Sequence, residues 1–414
     1  MTIHTGCLIR VLFVLLVVFF SIYFLSSPFT SFDNEATSDK VFSPLDQLQA
    51  SRKRQQELET ALEETRIEIK DKLNKFSFNS SIPGSNIKTS KDLLKFRSYM
   101  ECVTTKGRWV YDDTPRTVLV HKQDPLYGKC DSNSTPLNKN ASIEEIWSNA
   151  RNSIKYKWKA PNECPLPSFN RKDYCSLIAG KKILIVGDIL SHQLHDLLID
   201  YFHDGPVQCY GERSCKDHIL CPSPSDDNDL SSVMRYARND ILSGKSADNL
   251  GRLDQKFLEQ PWTLYVFRHN VIILNKGHHY QDDATFRSSF IKIVNYLRTK
   301  NPHTLLIFRS STIGHSNCNV PNIKPLFNPY NDYELEQLPY HWREIHKQNM
   351  IAKEIIEAVG GVYWNIENVM ETRVDDHIGG QDCIRWCIPG PSDIWLNLLF
   401  VLFKELKIDQ KLSH

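Results

Sequence analysis

From Lys181 onward the chain alternates short apolar runs with segments of helical spacing, and that alternation restricts the fold more than any other feature. Residues 182–186, 271–274, 304–308 and 361–364 are brief runs dominated by Val, Ile, Leu and aromatics, the length and composition of buried strands. Residues 190–202, 284–297, 341–359 and 392–406 carry apolar side chains at helical spacing. Strands that show no polar alternation and are separated by helices pair in parallel, with both faces covered. The expected fold class is therefore α/β. In such sheets ligands bind at the carboxyl ends of the strands. That rule selects three segments: Val186-Gly187-Asp188-Ile189-Leu190, Asn275-Lys276-Gly277-His278-His279, and Asp382-Cys383-Ile384-Arg385-Trp386-Cys387 just before the last helix. For His278 and His279, packing beside a cleft is the expected role rather than metal binding.

The N-terminal region points to a compartment. Val11 to Phe20 is an unbroken apolar run, and Ile22 to Leu25 extends it past one serine. Continued to Phe29, it reaches the roughly 17–20 residues that cross a bilayer. Arg10 precedes it and Asp33 and Glu35 follow it, which orients the N-terminus to the cytosol. A cleaved signal peptide is the alternative, but no A-x-A-like site is evident and Pro28 crowds the serines. The expectation is a cytosolic tail over 1–10, a transmembrane signal anchor over 11–29, and a type II protein of the Golgi or endoplasmic reticulum membrane with its globular part in the lumen.

Cysteine usage agrees. Of 11 cysteines, Cys7 precedes the apolar run and the other ten follow it, an even number suited to disulfides in an oxidising space, with the pairing open. No C-x-x-C pair occurs, so a zinc site is not expected, and no cofactor is implied. Asn79, Asn133 and Asn140 head N-x-S/T glycosylation acceptors. The formal charge of +1, from 50 basic and 49 acidic side chains without a basic stripe, excludes a nucleic-acid partner.

Residues 30–98 read as a stem. Within it, 45–76 places Leu48, Leu58, Leu62, Ile69 and Phe76 on one heptad frame, but the same frame puts Ser51, Gln55, Thr65 and Lys72 at core positions. A solvated helical spacer is expected there, with a coiled coil as the alternative. Residues 99–180, rich in aromatics, prolines and cysteines, form a small N-terminal subdomain, and 181–414 form the α/β domain.

The order of the motifs resembles the trichome-birefringence-like, or PC-esterase, family of polysaccharide O-acetyltransferases, over nearly the whole region after the stem. Gly107-Arg108-Trp109-Val110-Tyr111, Pro125-Leu126-Tyr127 with Cys130, and Tyr156-Lys157-Trp158-Lys159-Ala160-Pro161 with Cys164 match its N-terminal subdomain. Asn275 with Gly277-His278 matches N-x-G-H, and Phe308-Arg309-Ser310 matches F-R-S/T. Asp382-Cys383, Trp386-Cys387, Pro389-Gly390 and Trp395 match D-C-x-H-W-C…P-G…D-x-W. The resemblance implies an SGNH-like (flavodoxin-like) three-layer α/β/α fold and acyl transfer through a serine ester. The nucleophile would be the serine of a G-D-S turn, and the base the histidine of D-x-x-H, oriented by the aspartate three residues before it. The turn's backbone N–H groups, with the Asn and Gly of N-x-G-H, would form an oxyanion hole.

Carried onto this chain, Gly187, Asp188, Asn275, Gly277, His278 and Arg309 belong to the cleft and Asp382 is the retained acid. The chain departs at the two decisive positions. Ile189 stands where the nucleophile belongs, and Arg385, which cannot accept a proton, stands where the base belongs. In a comparable serine hydrolase, loss of nucleophile or base alone costs on the order of a millionfold in turnover. Asp382 and Arg385, at i and i+3, are expected to form a carboxylate–guanidinium pair. The expected function is a catalytically impaired relative that binds a polysaccharide or glycoprotein glycan, or a partner acetyltransferase. The alternative is an active O-acetyltransferase or esterase with a displaced triad, for which Ser191 and His192, His195, His278, His279, His315 and His377 are the available groups. A purely structural stem protein is the third reading, and it leaves the cleft motifs unexplained.

Overall fold

The computed structural model describes residues 44–408, except 77, 117–126, 128–129, 131–141, 169, 223–230, 245–257 and 321–322. The expected anchor over 11–29 and the acceptors Asn133 and Asn140 lie outside the described residues, whereas Asn79 is exposed. Among the described residues no helix is long and apolar enough to cross a membrane.

The described chain opens with helices α1 (Pro44–Lys72) and α2 (Ser90–Thr105), and strands β1 (Arg108–Tyr111) and β2 (Tyr156–Lys159) form an antiparallel ribbon. Then follow α3 (Arg171–Ile178), β3 (Lys182–Gly187), α4 (Ile189–Phe202), β4 (Ser214–Leu220), β5 (Ser232–Arg238) and β6 (Val271–Leu274). The chain continues through α5 (Asp283–Lys300), β7 (Leu305–Arg309), α6 (Ile345–Ala358), β8 (Val362–Trp364), the hairpin β9 (His377–Gly379) and β10 (Asp382–Trp386), and α7 (Ile394–Leu406).

Six strands form the central sheet in the order β4-β5-β3-β6-β7-β8. All neighbours are parallel except β4, which runs antiparallel to β5 at one edge. Successive strand residues point to opposite faces. Ile183, Ile185, Ile273 and Ile307 therefore enter a core shared with α2, α3, α4 and α7. Leu184, Val186, Leu274 and Phe308 enter a second core under α5 and α6. The expected α/β class, with a parallel sheet covered on both faces, is what forms. The chain leaves β5 on one side of β3 and resumes as β6 on the other, so the order switches at β3. A crevice opens at such a switch point.

Two elements differ from the sequence reading. Strands β4 and β5 were not anticipated, because Lys216, Asp217, Arg235 and Arg238 interrupt the apolar pattern. Their charges are matched locally: Arg235 Nε donates to Asp217 Oδ1 at 2.5 Å. Helix α1 is not a solvated spacer. Its Ala61 and Thr65 are buried, and Leu73 just beyond it, with Ile69 and Phe76, joins the core under α5 and α6. Thr65, a polar residue on the heptad frame, tolerates burial because its hydroxyl donates to the Ala61 carbonyl at 2.6 Å. Ion pairs hold the edges: Arg54 Nε to Asp332 Oδ1 at 2.7 Å, Arg66 Nη2 to Glu354 Oε1 at 3.0 Å, and Arg287 to Glu64 at 3.0 Å and Glu68 at 2.7 Å.

A Thr65→Arg substitution should lift α1 from the body by forcing a charge into a fully buried position. Limited proteolysis should then cut within residues 44–76 at least tenfold faster than in the parent protein, whereas Leu48→Arg, on the exposed side, should leave the rate unchanged.

Candidate functional site

The site begins where two glycines let two loops touch. A Cβ on Gly187, the last residue of β3, would lie 2.3 Å from Ser191 Oγ and 2.8 Å from the Asn275 carbonyl oxygen. A Cβ on Gly277 would lie 2.3 Å from the Asp188 Cβ. With no side chain at either position, the β3–α4 turn and the loop after β6 pack against each other. Asp188 caps α4, its Oδ1 accepting from the Leu190 N–H at 3.0 Å. Its Oδ2 faces His278 Nδ1 at 3.2 Å. Burial alone would raise the Asp188 pKa, but the His278 hydrogen bond and the charges of His278, Arg309 and Arg238 hold it well below the carboxylate range.

Arg309, at the end of β7, forms the back wall. It is fully buried, its guanidinium lies over the Trp395 ring at 5.2 Å, and Nη2 donates to Ser191 Oγ at 3.2 Å and stands 3.9 Å from Asp188 Oδ1. Burial lowers its pKa to about 10 against the opposing pull of Asp188, so the side chain stays charged at neutral pH. Asn275 Nδ2 donates to the Arg309 carbonyl and to Ser311 Oγ, each at 3.0 Å. Gly187, Asp188, Asn275, Gly277, His278 and Arg309 thus lie in one packed cluster.

The β9–β10 hairpin supplies a second group. The segment 382–387 is largely a strand. Asp382 Oδ1 accepts from the Ile384 and Arg385 N–H groups at 3.2 and 3.0 Å, and its Oδ2 from Arg385 Nε at 2.6 Å. The other end of the Arg385 guanidinium donates to Glu212. Burial opposes the charge on Arg385, yet Asp382 and Glu212 raise its pKa further. Glu212 continues to Arg238 Nη1 at 3.2 Å, and Arg238 Nε to Asp240 Oδ1 at 2.8 Å. His279 Nε2 lies 3.1 Å from Asp240 Oδ2. A chain of alternating charges therefore joins the hairpin to the ends of β5 and β6. Glu212 was missed from sequence because it stands alone in a short turn, with no motif around it.

Disulfides brace this hairpin from both sides. Cys383 bonds Cys318 and Cys387 bonds Cys130. Cys102–Cys164, Cys175–Cys221 and Cys209–Cys215 use the remaining six of the ten later cysteines. His192, Cys209 and Cys215 offer donor atoms within 4.8 Å of one another, but both sulfurs are committed to a disulfide. Deeper in, His315 lies 2.8 Å from His377 Nε2 and 2.8 Å from the Glu371 carbonyl oxygen, and His377 Nδ1 lies 3.0 Å from the Arg385 carbonyl oxygen.

Among the described residues, the serine and histidines available for a displaced triad have other partners. Ser191 is buried and its hydroxyl accepts from Arg309. The histidines are engaged elsewhere: His192 with Asp196 at 3.1 Å, His278 with Asp188, His279 with Asp240, and His315 with His377. Ile189 occupies the first turn of α4, half-buried against the core shared by α2, α3, α4 and α7. A groove of about 290 Å³ lined by Phe96, Met100, His346 and Tyr363 lies between α2 and α6, away from these groups.

Known proteins resemble the chain at low identity. The chain is 21% identical over 359 residues to xyloglucan O-acetyltransferase 2 of Arabidopsis thaliana, covering 74% of this chain and 84% of that one. It is 22% identical over 339 residues to protein trichome birefringence-like 42 of Arabidopsis thaliana, covering 74% and 90%. Its similarity to trichome-birefringence-like proteins and xyloglucan O-acetyltransferases runs over about three quarters of the chain. No family model matches it. A solved peptidoglycan O-acetylesterase structure is 9% identical with a TM-score of 0.32, covering 57% of this chain and 95% of that one, a likeness too distant to add to the assignment. At the two positions singled out in the sequence this chain carries an aliphatic side chain, Ile189, and an ion-paired guanidinium, Arg385.

Two outcomes follow from this geometry. Replacing Arg385 with Ala leaves Asp382 and Glu212 without their partner. Stability to denaturant should fall by about 1.5–3 kcal/mol, the range for charged hydrogen bonds, with Arg385→Lys recovering only part. Burial lowers the His315 pKa to about 4, and burial with the neighbouring His315 takes His377 well below its usual value. An unfolded histidine titrates near 6.5, so the contribution of this pair is complete above about pH 6.5 and is lost as pH falls toward about 4. Denaturant unfolding at pH 7 and pH 5 should show a smaller loss for His315→Gln than for the parent protein.

Proposed function

We propose that this chain is a catalytically impaired trichome-birefringence-like protein that binds glycan, or a partner acetyltransferase, in the lumen of the Golgi or endoplasmic reticulum. Its relatives are named for O-acetylation of xyloglucan, which makes a polysaccharide chain the natural ligand class. The observation that carries the proposal is the state of the D-x-x-H segment. Its basic position holds a guanidinium bonded at one end to Asp382 and at the other to Glu212. Such a group can neither take a proton from a nucleophile nor return one to a leaving group. Ile189 at the head of α4 offers no atom to acylate. What survives is the frame of an acyl-transfer site: a helix N-terminus, the buried Asp188–Arg309 pair and the Asn275 loop. Binding without turnover is the use left to that frame. The membrane tether rests on the apolar run over 11–29 and its flanking charges, and the lumenal location on that run together with the disulfides.

Labelling with a serine-reactive fluorophosphonate tests the reading directly. The parent protein should stay unlabelled over hours, and the Ile189→Ser/Arg385→His double variant should label. A labelled parent protein would mean that another nucleophile has taken over, and the labelled residue would identify it.

A further inference from the structure

An aromatic platform stands beside this site, on the two connections that leave the carboxyl ends of the neighbouring strands β6 and β7. Tyr280 follows His278 by two residues, and His278 bonds Asp188. Its ring stacks on His341 with centroids 4.0 Å apart and planes 13° from parallel. Tyr340 is 74% exposed and leans on Trp342 at 5.4 Å. Tyr340 and His341 are consecutive non-glycine residues with φ of 58° and 59°. The left-handed region disfavours both, by roughly 1–2 kcal/mol each. Surrounding structure must hold them there. It does so through a small separate core of Ile313, Leu335, Trp342 and Ile345, against which Ile384 of the site hairpin also packs. The platform and the Asp382–Arg385 segment therefore share one support.

We propose that Tyr280, His341 and Tyr340 form a stacking subsite for a pyranose ring of a β-linked glycan, feeding the chain across the site hairpin. The inference rests on the glycan-binding reading and names the part of the surface that performs it. A flat aromatic face takes the axial C–H face of a gluco- or xylo-configured ring, while equatorial hydroxyls point outward in the plane. Polar groups surround Tyr280 in the way such hydroxyls require. Lys347 bonds Asp283 at 2.9 Å and Glu344 at 2.6 Å, and the Gln348 amide donates to Asp283 at 3.0 Å. An apolar partner would strip water from these paired charges without offering them hydrogen bonds, so a hydroxyl-rich ligand suits the rim better than a hydrophobic peptide. The strained turn also keeps Tyr340 outside the small core instead of collapsing onto it.

The test uses cellohexaose and xylohexaose as probes and mannohexaose, whose axial C2 hydroxyl breaks the flat face, as comparison. Binding to the full chain is followed by ligand-observed NMR and titration. The expected result is binding of the first two and at least tenfold weaker binding of the third. Tyr280→Ala and Tyr340→Ala should each weaken binding tenfold or more with an unchanged melting temperature, while Phe327→Ala, an exposed aromatic outside the platform, should have no effect. Binding that survives both tyrosine substitutions overturns the platform and leaves glycan binding standing. Failure of the parent protein to bind any of the hexaoses overturns both. His341→Gly separates fold from contact: the left-handed backbone is easier for glycine, so the melting temperature should hold or rise while binding still falls.

Discussion

A carboxylate at the end of a buried strand can remain ionised only if the interior supplies opposite charge, and Asp188 is in that position. Its balance comes from Arg309 on the next strand but one and from His278 on the loop between them. Both reach it because Gly187 and Gly277 carry no side chain to hold the loops apart. Arg309 in turn lies on Trp395 at the start of α7, which places the last helix over the sheet. Strand ends, helix cap and terminal helix are thus joined through one electrostatic contact, and the hydrophobic layers on either side insulate it from water.

The hairpin group has a different character. Arg385 links two acidic groups. It satisfies Asp382, whose oxygens already hold two backbone N–H groups, and it extends to Glu212 in a segment distant in sequence. In a site built for proton transfer the carboxylate orients an imidazole; here it anchors a permanent cation. The guanidinium at 385 and the aliphatic residue at 189 are therefore compatible with a well-packed structure. Neither leaves an orphaned charge.

Much of the sheet was legible in sequence because its strands are nearly pure Val, Ile and Leu between helical segments, a pattern that buried parallel strands impose. β4 and β5 were not legible, since charge pairs across strands such as Arg235–Asp217 let polar residues enter a sheet edge without an apolar signature. The heptad frame in α1 was visible, but its partner was not. Thr65 reads as a break in a hydrophobic seam until its hydroxyl is seen to be satisfied within its own helix. At the site, Asp188, Asn275 and Arg309 were marked by motif, and the Asp382–Arg385 pair by spacing. Glu212 had no local pattern to announce it, because its role exists only once the turn before β4 is folded against the hairpin. The Tyr280–His341 stack was hidden for the same reason, its two rings lying on different loops.

The bond between Cys130 and Cys387 spans 257 residues of sequence. During synthesis the earlier cysteine must wait, unpaired or in another pairing, until the segment bearing Asp382 and Arg385 has been made. Completion of the hairpin is thereby tied to the final stage of production and to an oxidising environment. A chain truncated before that segment cannot close the link, and Cys130 and Cys318 both lose their partners. The covalent frame is thus complete only in a chain that carries both ends of the link.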